Sequence, residues 1–490
     1  MSGSIRYEDR VYDNNGFTGA TTFKPVRLAA VEAVRCSDSA VLSSTNTDST
    51  GGYLLVFTNT GAAGVHVRAI AEKGNTRIKN NTLANAIYSF KSGAIDDSKG
   101  STFTVNIDIT ASSGAGGAFN ILDIFTDGTL FLEELGITTT PVLTGFWENG
   151  SCDGTYFQGS DNSIHLFGGC SGDTDEYDDD IILHEFGHFV ASNFSRDDSP
   201  GGSHTLADNT QDIRLAWSEG WAHFFSSAVR GVPSQTDTNL NTASSFEIEG
   251  PSPQAISNIY TTNEVAVAAV LWDISDSGTN ETFDALSSGI TPIWDVFSSY
   301  LPTSTSVSIE DFWDGWFTCP SCSIMNHGSQ AEMETLVASR QMALKADTLE
   351  QDNTVASAKS ITVNGASQTH TLYPSGDIDL DIDFVSFLVT ASGTPHTIET
   401  FGLTNGADTF IELLDSNEVP ILGSNNDNVN GITYDQNCFI CLPNDATTLS
   451  SKVQITPSAS GTLFVRVSRS PSAPNSSGIY GSYDLRITSP

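Results

Sequence analysis

Two histidines and a glutamate give this chain its clearest capacity for chemistry. His184, Glu185 and His188 form an HExxH pattern within the apolar segment 180–190. Residues four apart on an α-helix lie about 40° apart around the axis and one turn along, so both imidazoles can bind one zinc ion. Glu185, about 100° further round, can reach a water on the metal without binding the metal and can act as its base. The spacing therefore predicts a hydrolytic zinc centre with Glu185 as the catalytic base.

Such a centre needs a third protein ligand. A histidine six residues after His188 is excluded, because Phe194 occupies that position. The best downstream candidate is Glu219, in an amphipathic, aromatic-rich segment at 212–229. His223 shares a helical face with Glu219, so it is either a partner of a ligand histidine or the third ligand itself. We favour Glu219 and keep His223 as the alternative.

Three more polar residues could assist this chemistry. His204, in the loop between the two ligand segments, and Tyr260, just ahead of 263–275, are candidates for stabilising the oxyanion formed by water attack. Asp273 is expected to be a buried carboxylate that either orients a ligand histidine or holds neighbouring segments together. We favour the structural role for Asp273.

Helices must position these side chains, and apolar periodicity predicts them at 180–192, 212–229, 263–275 and 330–346. Gly187 and Gly220 each lie beside a candidate ligand. A glycine inside a helix costs about 1 kcal/mol relative to alanine, so either one suggests a close approach between helices. A strand at 163–167 is expected to form a sheet edge that could pair with an extended peptide.

Acidic residues cluster in two places. The run Asp173–Asp180 either caps the helix that follows and complements its dipole, or binds calcium. Four aspartates alternate along a predicted strand and would share one face, where calcium is a second candidate ion: Asp377, Asp379, Asp381 and Asp383.

The overall charge restricts the partners. The chain has 21 Lys plus Arg against 59 Asp plus Glu, for a formal net charge of -38. Such a surface repels nucleic acid and anionic membranes, and no apolar stretch approaches the ~20 residues of a membrane span. We expect a monomer with a polypeptide substrate, no nucleic-acid partner and no membrane insertion. The N-terminus lacks the features of a signal peptide, and we expect a secreted, extracellular bacterial protein whose signal has been removed.

The cysteines favour an oxidising compartment. Three local pairs are expected to form disulfides, and Cys36 is left over as a small buried apolar residue. The expected pairs are Cys152 with Cys170, Cys319 with Cys322, and Cys438 with Cys441.

Three regions follow from composition and pattern. Residues 1–112 read as short strands with polar turns, including 53–57 and 65–70, and resemble the carboxypeptidase-regulatory-like (transthyretin-like) β-sandwich. Residues 113–347 read as a mainly helical α+β catalytic domain. Residues 348–490 return to strands and resemble, from 355 to 488, the bacterial pre-peptidase C-terminal domain, a jelly-roll-like β-sandwich found with secreted peptidases.

The segment around Glu219 resembles the second helix of the gluzincins, the thermolysin-like class of zincins, whose glutamate completes the zinc site. That resemblance implies a secreted zinc endopeptidase. The class carries an aspartate four residues after the ligand glutamate, where this chain has His223, so the partner of the ligand histidine is in doubt. A mucinase-like peptidase acting on glycoproteins is the first alternative. A non-catalytic adhesion protein is the second, although Glu185 would then have no role.

Overall fold

The structure is a computed structural model of the chain. It describes residues 1–82, 85–170, 172–239, 241–249, 258–276, 286–304, 307–319, 322, 330–342, 344, 347–350, 352–372, 381–404, 407–415, 417, 419–426, 449–470 and 481–490.

Helices occupy the middle of the chain. They are α1 (Gly116–Glu134), α2 (Asp179–Phe194), α3 (Ile213–Arg230), α4 (Glu264–Ser275), α5 (Ile290–Asp295), α6 (Ile309–Thr318) and α7 (Gln330–Ser339). The predicted helix at 330–346 is shorter in the structure, since α7 ends at Ser339.

Strands lie before, between and after the helices. The first half has β1 (Ser2–Asp13), β2 (Gly16–Pro25), β3 (Ala30–Arg35), β4 (Val41–Asn46), β5 (Gly52–Leu54), β6 (Val65–Ile70), β7 (Glu72–Lys73), β8 (Thr76–Lys79), β9 (Ser89–Lys91), β10 (Ile107–Ile109), β11 (Leu143–Phe146), β12 (Tyr156–Gln158), β13 (Ser163–His165), β14 (Ser234–Asn239) and β15 (Thr242–Glu247). The second half has β16 (Lys359–Ser360), β17 (Gln368–Thr371), β18 (Ile382–Val389), β19 (His396–Phe401), β20 (Thr409–Leu414), β21 (Pro420–Asn426), β22 (Lys452–Ile455), β23 (Gly461–Arg469) and β24 (Ser482–Thr488).

The N-terminal strands form two four-stranded sheets. One has the order β4-β3-β6-β9, and in the other β10, β2 and β5 all pair with β1. The long hairpin β1–β2 begins the chain, and β1 packs against α1 through a hydrogen bond from Tyr7 Oη to Asp123 Oδ2 of 2.9 Å. Arg27 also binds Asp123, with 2.6 Å between guanidinium and carboxylate.

A five-stranded mixed sheet crosses the boundary expected at residue 112. Its order is β12-β13-β11-β8-β7, with β11 parallel to both β8 and β13. Because β7 and β8 come from the region before residue 112 and β11 from the region after it, residues 1–112 do not stand as a separate domain. Parallel pairing between strands more than sixty positions apart depends on tertiary contacts that a local pattern does not display.

The C-terminal strands form a β-sandwich, as predicted. One sheet has the order β16-β18-β23-β20-β21 and the other β17-β24-β19-β22. The alternating buried side chains of both sheets meet in one apolar core, which includes Val385, Phe387 and Val465 from the first sheet and Ile398, Leu485 and Ile487 from the second. Such alternation is typical of strands that bury one face.

By contact density the chain divides into two compact units, Met1–Arg196 with Trp221–Glu249, and Asp197–Gly220 with Gly250–Pro490. The division falls inside α3, which is one continuous helix. The first unit joins the N-terminal strands to the segment that leads to α2, and the second joins the last helices to the C-terminal strands.

Two of the expected disulfides are present, Cys152–Cys170 and Cys319–Cys322. Cys438 and Cys441 lie outside the described residues. The expectation that Cys36 is buried is wrong: it is an exposed free thiol in the turn after β3. Among the described helices, none is long and apolar enough to cross a membrane.

Candidate metal centre

Helix α2 carries the HExxH residues on the side of the helix that faces away from its aromatic core. Phe186 stacks with Phe225 at a centroid distance of 5.9 Å and lies 5.7 Å from Phe125, so the apolar face of α2 packs on α1 and α3. Glu185 is buried, whereas His184 and His188 are half-buried. The helix therefore holds two imidazoles at an accessible surface and the glutamate just beneath it.

The two imidazoles converge. His184 Nε2 and His188 Nε2 are 3.2 Å apart. Together with a carboxylate oxygen of Glu219 they form a group whose ligand atoms all lie within 4.8 Å of one another. Tetrahedral zinc with bonds of about 2.0–2.1 Å separates its ligand atoms by roughly 3.3–3.4 Å, so the donor set of two imidazoles and one carboxylate fits zinc with a position left for substrate or water.

Glycine at position 187 permits the close approach of α2 and α3. A Cβ added to Gly187 would lie 2.8 Å from the Cα of Ala222, which only a backbone shift could relieve. Trp221 Nε1 donates to the carbonyl of Gly187 across the same contact, at 3.2 Å. Gly220 instead faces α4, where an added Cβ would lie 2.6 Å from Val267. Of the two glycines, Gly187 is therefore the one that serves the approach to α2.

His223 contacts the side of His184 that faces away from His188. The two Nδ1 atoms are 3.1 Å apart, and His223 Nδ1 also lies 2.8 Å from Oε1 of Gln235 on β14. Gln235 donates to the His223 carbonyl and, at 3.2 Å, to Ser227 Oγ. The Glu219 carboxylate therefore lies with the two imidazoles, whereas His223 lies against the opposite side of the His184 ring. Gln235 was not predicted as a neighbour of the site, because no local sequence pattern links a residue of β14 to His223 on α3.

His204 lies beside the Glu219 carboxylate. Its Nε2 is 3.7 Å from Glu219 Oε2 and 3.8 Å from Glu264 Oε2. Glu264 is buried in the first turn of α4 and accepts a hydrogen bond of 3.0 Å from Gln211 Nε2. Glu264 was not predicted as a site residue, because a glutamate directly after the helix-capping Asn263 is typical of the first turn of a helix.

Tyr260 and Asp273 belong to a different set of contacts. The backbone N–H of Tyr260 donates to the carbonyl of Arg340 at 2.8 Å, and Tyr260 adopts a φ of 75°. Asp273 is buried 3.9 Å from the guanidinium of buried Arg340. Described contacts thus bring His204, but not Tyr260, to the candidate ligands, and they support the structural role that we favoured for Asp273.

The sheet edge next to α2 is β12, not the strand expected at 163–167. β13 pairs on one side with β12 and on the other with β11, so it is an interior strand. Phe157 of β12 packs on Phe189 of α2 at a centroid distance of 6.2 Å, which places this edge over the HExxH helix. The strand was missed because three residues carry too little periodicity.

The acidic run before α2 does not cap the helix with a side chain. Asp178 occupies the capping position without a capping hydrogen bond, and its carboxylate accepts from Thr238 N at 3.0 Å instead. Asp180 accepts from Thr236 N at 2.9 Å and also binds Arg230. These aspartates therefore fasten α2 to β14. Burial raises the pKa of Asp178 to about 9, despite its bonds to Thr238.

Two groups of oxygen ligands correspond to the expected calcium sites. Asp173, Asp175 and Asp237 form one, and burial raises the pKa of Asp175 to about 7. The other is in the C-terminal sandwich and consists of Glu350, Asp381 and Asp383. Two of the expected residues there, 377 and 379, lie outside the described residues.

Comparisons with known proteins bear on the centre of the chain. Residues 134–331 match the family described as the Mycolysin C-terminal domain, and this range contains His184, His188 and Glu219. An uncharacterised protein of Archaeoglobus fulgidus is 33% identical over 134 residues, which cover 25% of this chain and 36% of that protein. The chain thus spans about a third of that relative.

Two solved structures are similar to parts of the chain. One is the pre-peptidase C-terminal domain of a Bacillus anthracis collagenase, with 17% identity, a TM-score of 0.17, and coverage of 26% of this chain and 93% of that one. The other is PliG of Aeromonas hydrophila, a periplasmic inhibitor of g-type lysozyme, with 14% identity, a TM-score of 0.15, and coverage of 26% and 98%. Scores this low do not assign a fold.

Proposed function

We propose that this protein is a secreted zinc-dependent endopeptidase of the gluzincin type. The observation that carries the proposal is the convergence of His184, His188 and Glu219 on one point, beside the buried Glu185. These three residues would hold the zinc ion. When bound, the ion would supply Lewis acidity toward water and the substrate carbonyl.

Glu185 performs the proton transfers in this proposal. Its carboxylate takes the proton of the attacking water and delivers it to the amine that leaves as the peptide bond breaks. His223 keeps the His184 ring turned so that its Nε2 faces Nε2 of His188. His204, next to Glu219, is the better placed of the two candidates for stabilising the oxyanion.

A polypeptide substrate fits the neighbouring sheet edge. β12 pairs with β13 alone among the described strands, so its outer edge presents backbone N–H and C=O groups over α2. An extended peptide can add to such an edge as a further strand. The main-chain contacts would then hold a peptide bond near the metal centre with little dependence on sequence.

Two findings support the peptidase class and a secreted location. The matched mycolysin domain is associated with secreted peptidases. The Cys152–Cys170 and Cys319–Cys322 disulfides are typical of oxidising compartments. Calcium is our proposal for a second ion, at the oxygen ligands of Asp173, Asp175 and Asp237.

The decisive experiment combines zinc content with casein hydrolysis in the wild type and in Glu185→Gln. We expect one zinc ion to be held at this centre in both proteins, and hydrolysis to fall by at least about 10³-fold in the variant because the base is lost. Bound zinc without hydrolysis in either protein would refute the peptidase proposal.

The same assay separates the two oxyanion candidates. For His204→Ala we expect kcat to fall by roughly 10²-fold while KM changes little, since an oxyanion donor acts in the transition state. Tyr260→Phe serves as the matched control and should retain kcat within about threefold. The reverse ranking would assign the role to Tyr260.

A further inference from the structure

A buried histidine in the C-terminal sandwich faces carboxylates without making a hydrogen bond of normal length to them. His370 lies on β17 with no exposed surface, and its ring stacks on Tyr483 at a centroid distance of 5.4 Å. Neither ring nitrogen has a hydrogen-bond partner among the described residues. Buried polar groups are nearly always hydrogen-bonded, so this imidazole requires another explanation.

Three carboxylates surround one nitrogen of that ring. His370 Nδ1 is 3.5 Å from Asp383 Oδ1, 3.9 Å from Asp352 Oδ2 and 3.9 Å from Asp347 Oδ2. These separations exceed the 2.7–3.2 Å typical of a hydrogen bond. They are close to the roughly 3.3–3.6 Å between ligand atoms around a tetrahedral ion with bonds of about 2.0–2.2 Å. The ligand atoms of Asp347, His370 and Asp383 all lie within 4.8 Å of one another.

The carboxylates also lack compensating charge. Asp352 is fully buried, and neither of its oxygens has a hydrogen-bond partner among the described residues. Burial raises the pKa of Asp352 to about 7, and burial likewise raises the pKa of Asp383. One imidazolium would leave an excess of negative charge in a largely buried site, and buried charges are ordinarily paired or bound to a metal.

Neighbouring groups fix the orientation of the carboxylates. Tyr483 donates to Oδ2 of Asp383, which leaves Oδ1 facing the imidazole. The backbone N–H of Thr371 donates to Oδ2 of Asp347 at 2.8 Å. Hydrogen bonds to the second oxygen or lone pair of a carboxylate are the usual means of orienting a metal ligand.

We propose that His370, Asp347 and Asp383 bind a divalent transition metal ion, with Asp352 as a fourth ligand. Imidazole combined with carboxylate suits zinc or manganese, whereas calcium prefers an all-oxygen site. The site joins the segment that enters the sandwich, which supplies Asp347 and Asp352, to β17 and β18 of its two sheets. An ion there would stabilise the domain and is independent of the zinc centre on α2.

Metal content of the full-length chain tests the proposal. Metal-stripped protein is dialysed against zinc, manganese or calcium, and bound metal per chain is measured for the wild type, His370→Gln, His188→Ala and the double variant. We expect His370→Gln to lose one zinc or manganese ion that His188→Ala retains, and the double variant to lose both. Equal transition-metal content in the wild type and His370→Gln would overturn the proposal, as would binding of calcium alone, undiminished by the substitution.

A second variant tests the site in case His370→Gln loses its metal only because the sandwich unfolds. Asp347→Asn alters a partly exposed residue at the start of the site and should weaken binding of zinc or manganese by about 10-fold or more without unfolding the sandwich. In the His188→Ala background, zinc or manganese should raise the melting temperature of the chain, and Asp347→Asn should reduce that rise. An unchanged melting temperature with both ions would contradict the proposed site in the sandwich. Because His188→Ala already disables the α2 centre, this result would not depend on whether the peptidase proposal is correct.

Discussion

Glu219 and His223 lie one turn apart on α3 but have different relations to the candidate ligands. Glu219 brings a carboxylate oxygen into the group with His184 and His188. His223 instead meets Nδ1 of His184, on the side of the ring away from His188. Nδ1 of His223 also lies 2.8 Å from Oε1 of Gln235, so this imidazole stands at the position four residues after Glu219 and is held by β14.

This difference predicts a graded loss of zinc. Glu219→Ala removes a ligand, so its zinc affinity should fall by well over 10²-fold. His223→Ala removes only the orienting residue, and its affinity should fall by about 10–100-fold. Competition with a chelator of known affinity measures both. A larger loss in His223→Ala than in Glu219→Ala would make His223 the third ligand.

The buried Asp178 makes stability depend on pH. Its pKa is about 9 in the folded protein, against an ordinary value of 3.8. Between these values the folded state binds more protons than the unfolded state, so stability falls as pH rises, by up to ~1.4 kcal/mol per pH unit. Asp178→Asn keeps the shape without the charge and should be free of this loss.

Urea unfolding from about pH 5 to about pH 8.5 measures the effect. The free energy of unfolding of Asp178→Asn minus that of the wild type should grow with pH across this range. Asp13→Asn, at an exposed position on β1, is the matched control and should show a constant difference. A constant difference for Asp178→Asn as well would mean that the carboxyl ionises normally in the folded protein.

At the scale of elements, the contact between α2 and α3 depends on Gly187. A methyl group there would lie 2.8 Å from Ala222 Cα, so Gly187→Ala should push the helices apart. We expect it to cost about 1–3 kcal/mol of stability and to weaken zinc binding, because His184 and Glu219 are on the two separated helices. Ser192→Ala, on the exposed side of α2, should change stability by less than about 0.5 kcal/mol. Thermal unfolding checks both, and equal melting temperatures for the two variants would contradict the packing argument.

Local signals explain which elements the sequence predicted well. Apolar periodicity at 180–192, 212–229 and 263–275 marked α2, α3 and α4 to within two residues at each end, because a buried helical face repeats every 3.6 residues. The convergence of His184 and His188 followed from helical geometry, because residues four apart lie on one face.

The missed features depend on contacts between distant residues. The strand β2 has mostly exposed residues, so it lacks the alternation of buried and exposed positions that predicts a strand. The pairing of β8 with β11 merged two expected domains. Gln235 and Glu264 approach the candidate metal centre only through the folded backbone. Residue types and spacing therefore predicted which side chains converge, whereas their polar neighbours could be found only in the structure.

At the scale of the whole molecule, the net charge of -38 should make stability depend on ionic strength. Most acidic side chains have no basic residue to pair with, so the compact state suffers self-repulsion that the expanded chain relieves. The Debye length shrinks from about 10 Å at 0.1 M salt to about 3 Å at 1 M, which screens most of this repulsion.

We expect the melting temperature to rise by several degrees between about 0.05 and about 1 M NaCl, with metal content held constant. Sodium sulfate at equal ionic strength is the control, because screening at low salt follows ionic strength whereas salting-out follows the identity of the anion. A melting temperature that is flat below about 0.3 M and then rises only in sulfate would show that repulsion between acidic side chains does not limit the fold.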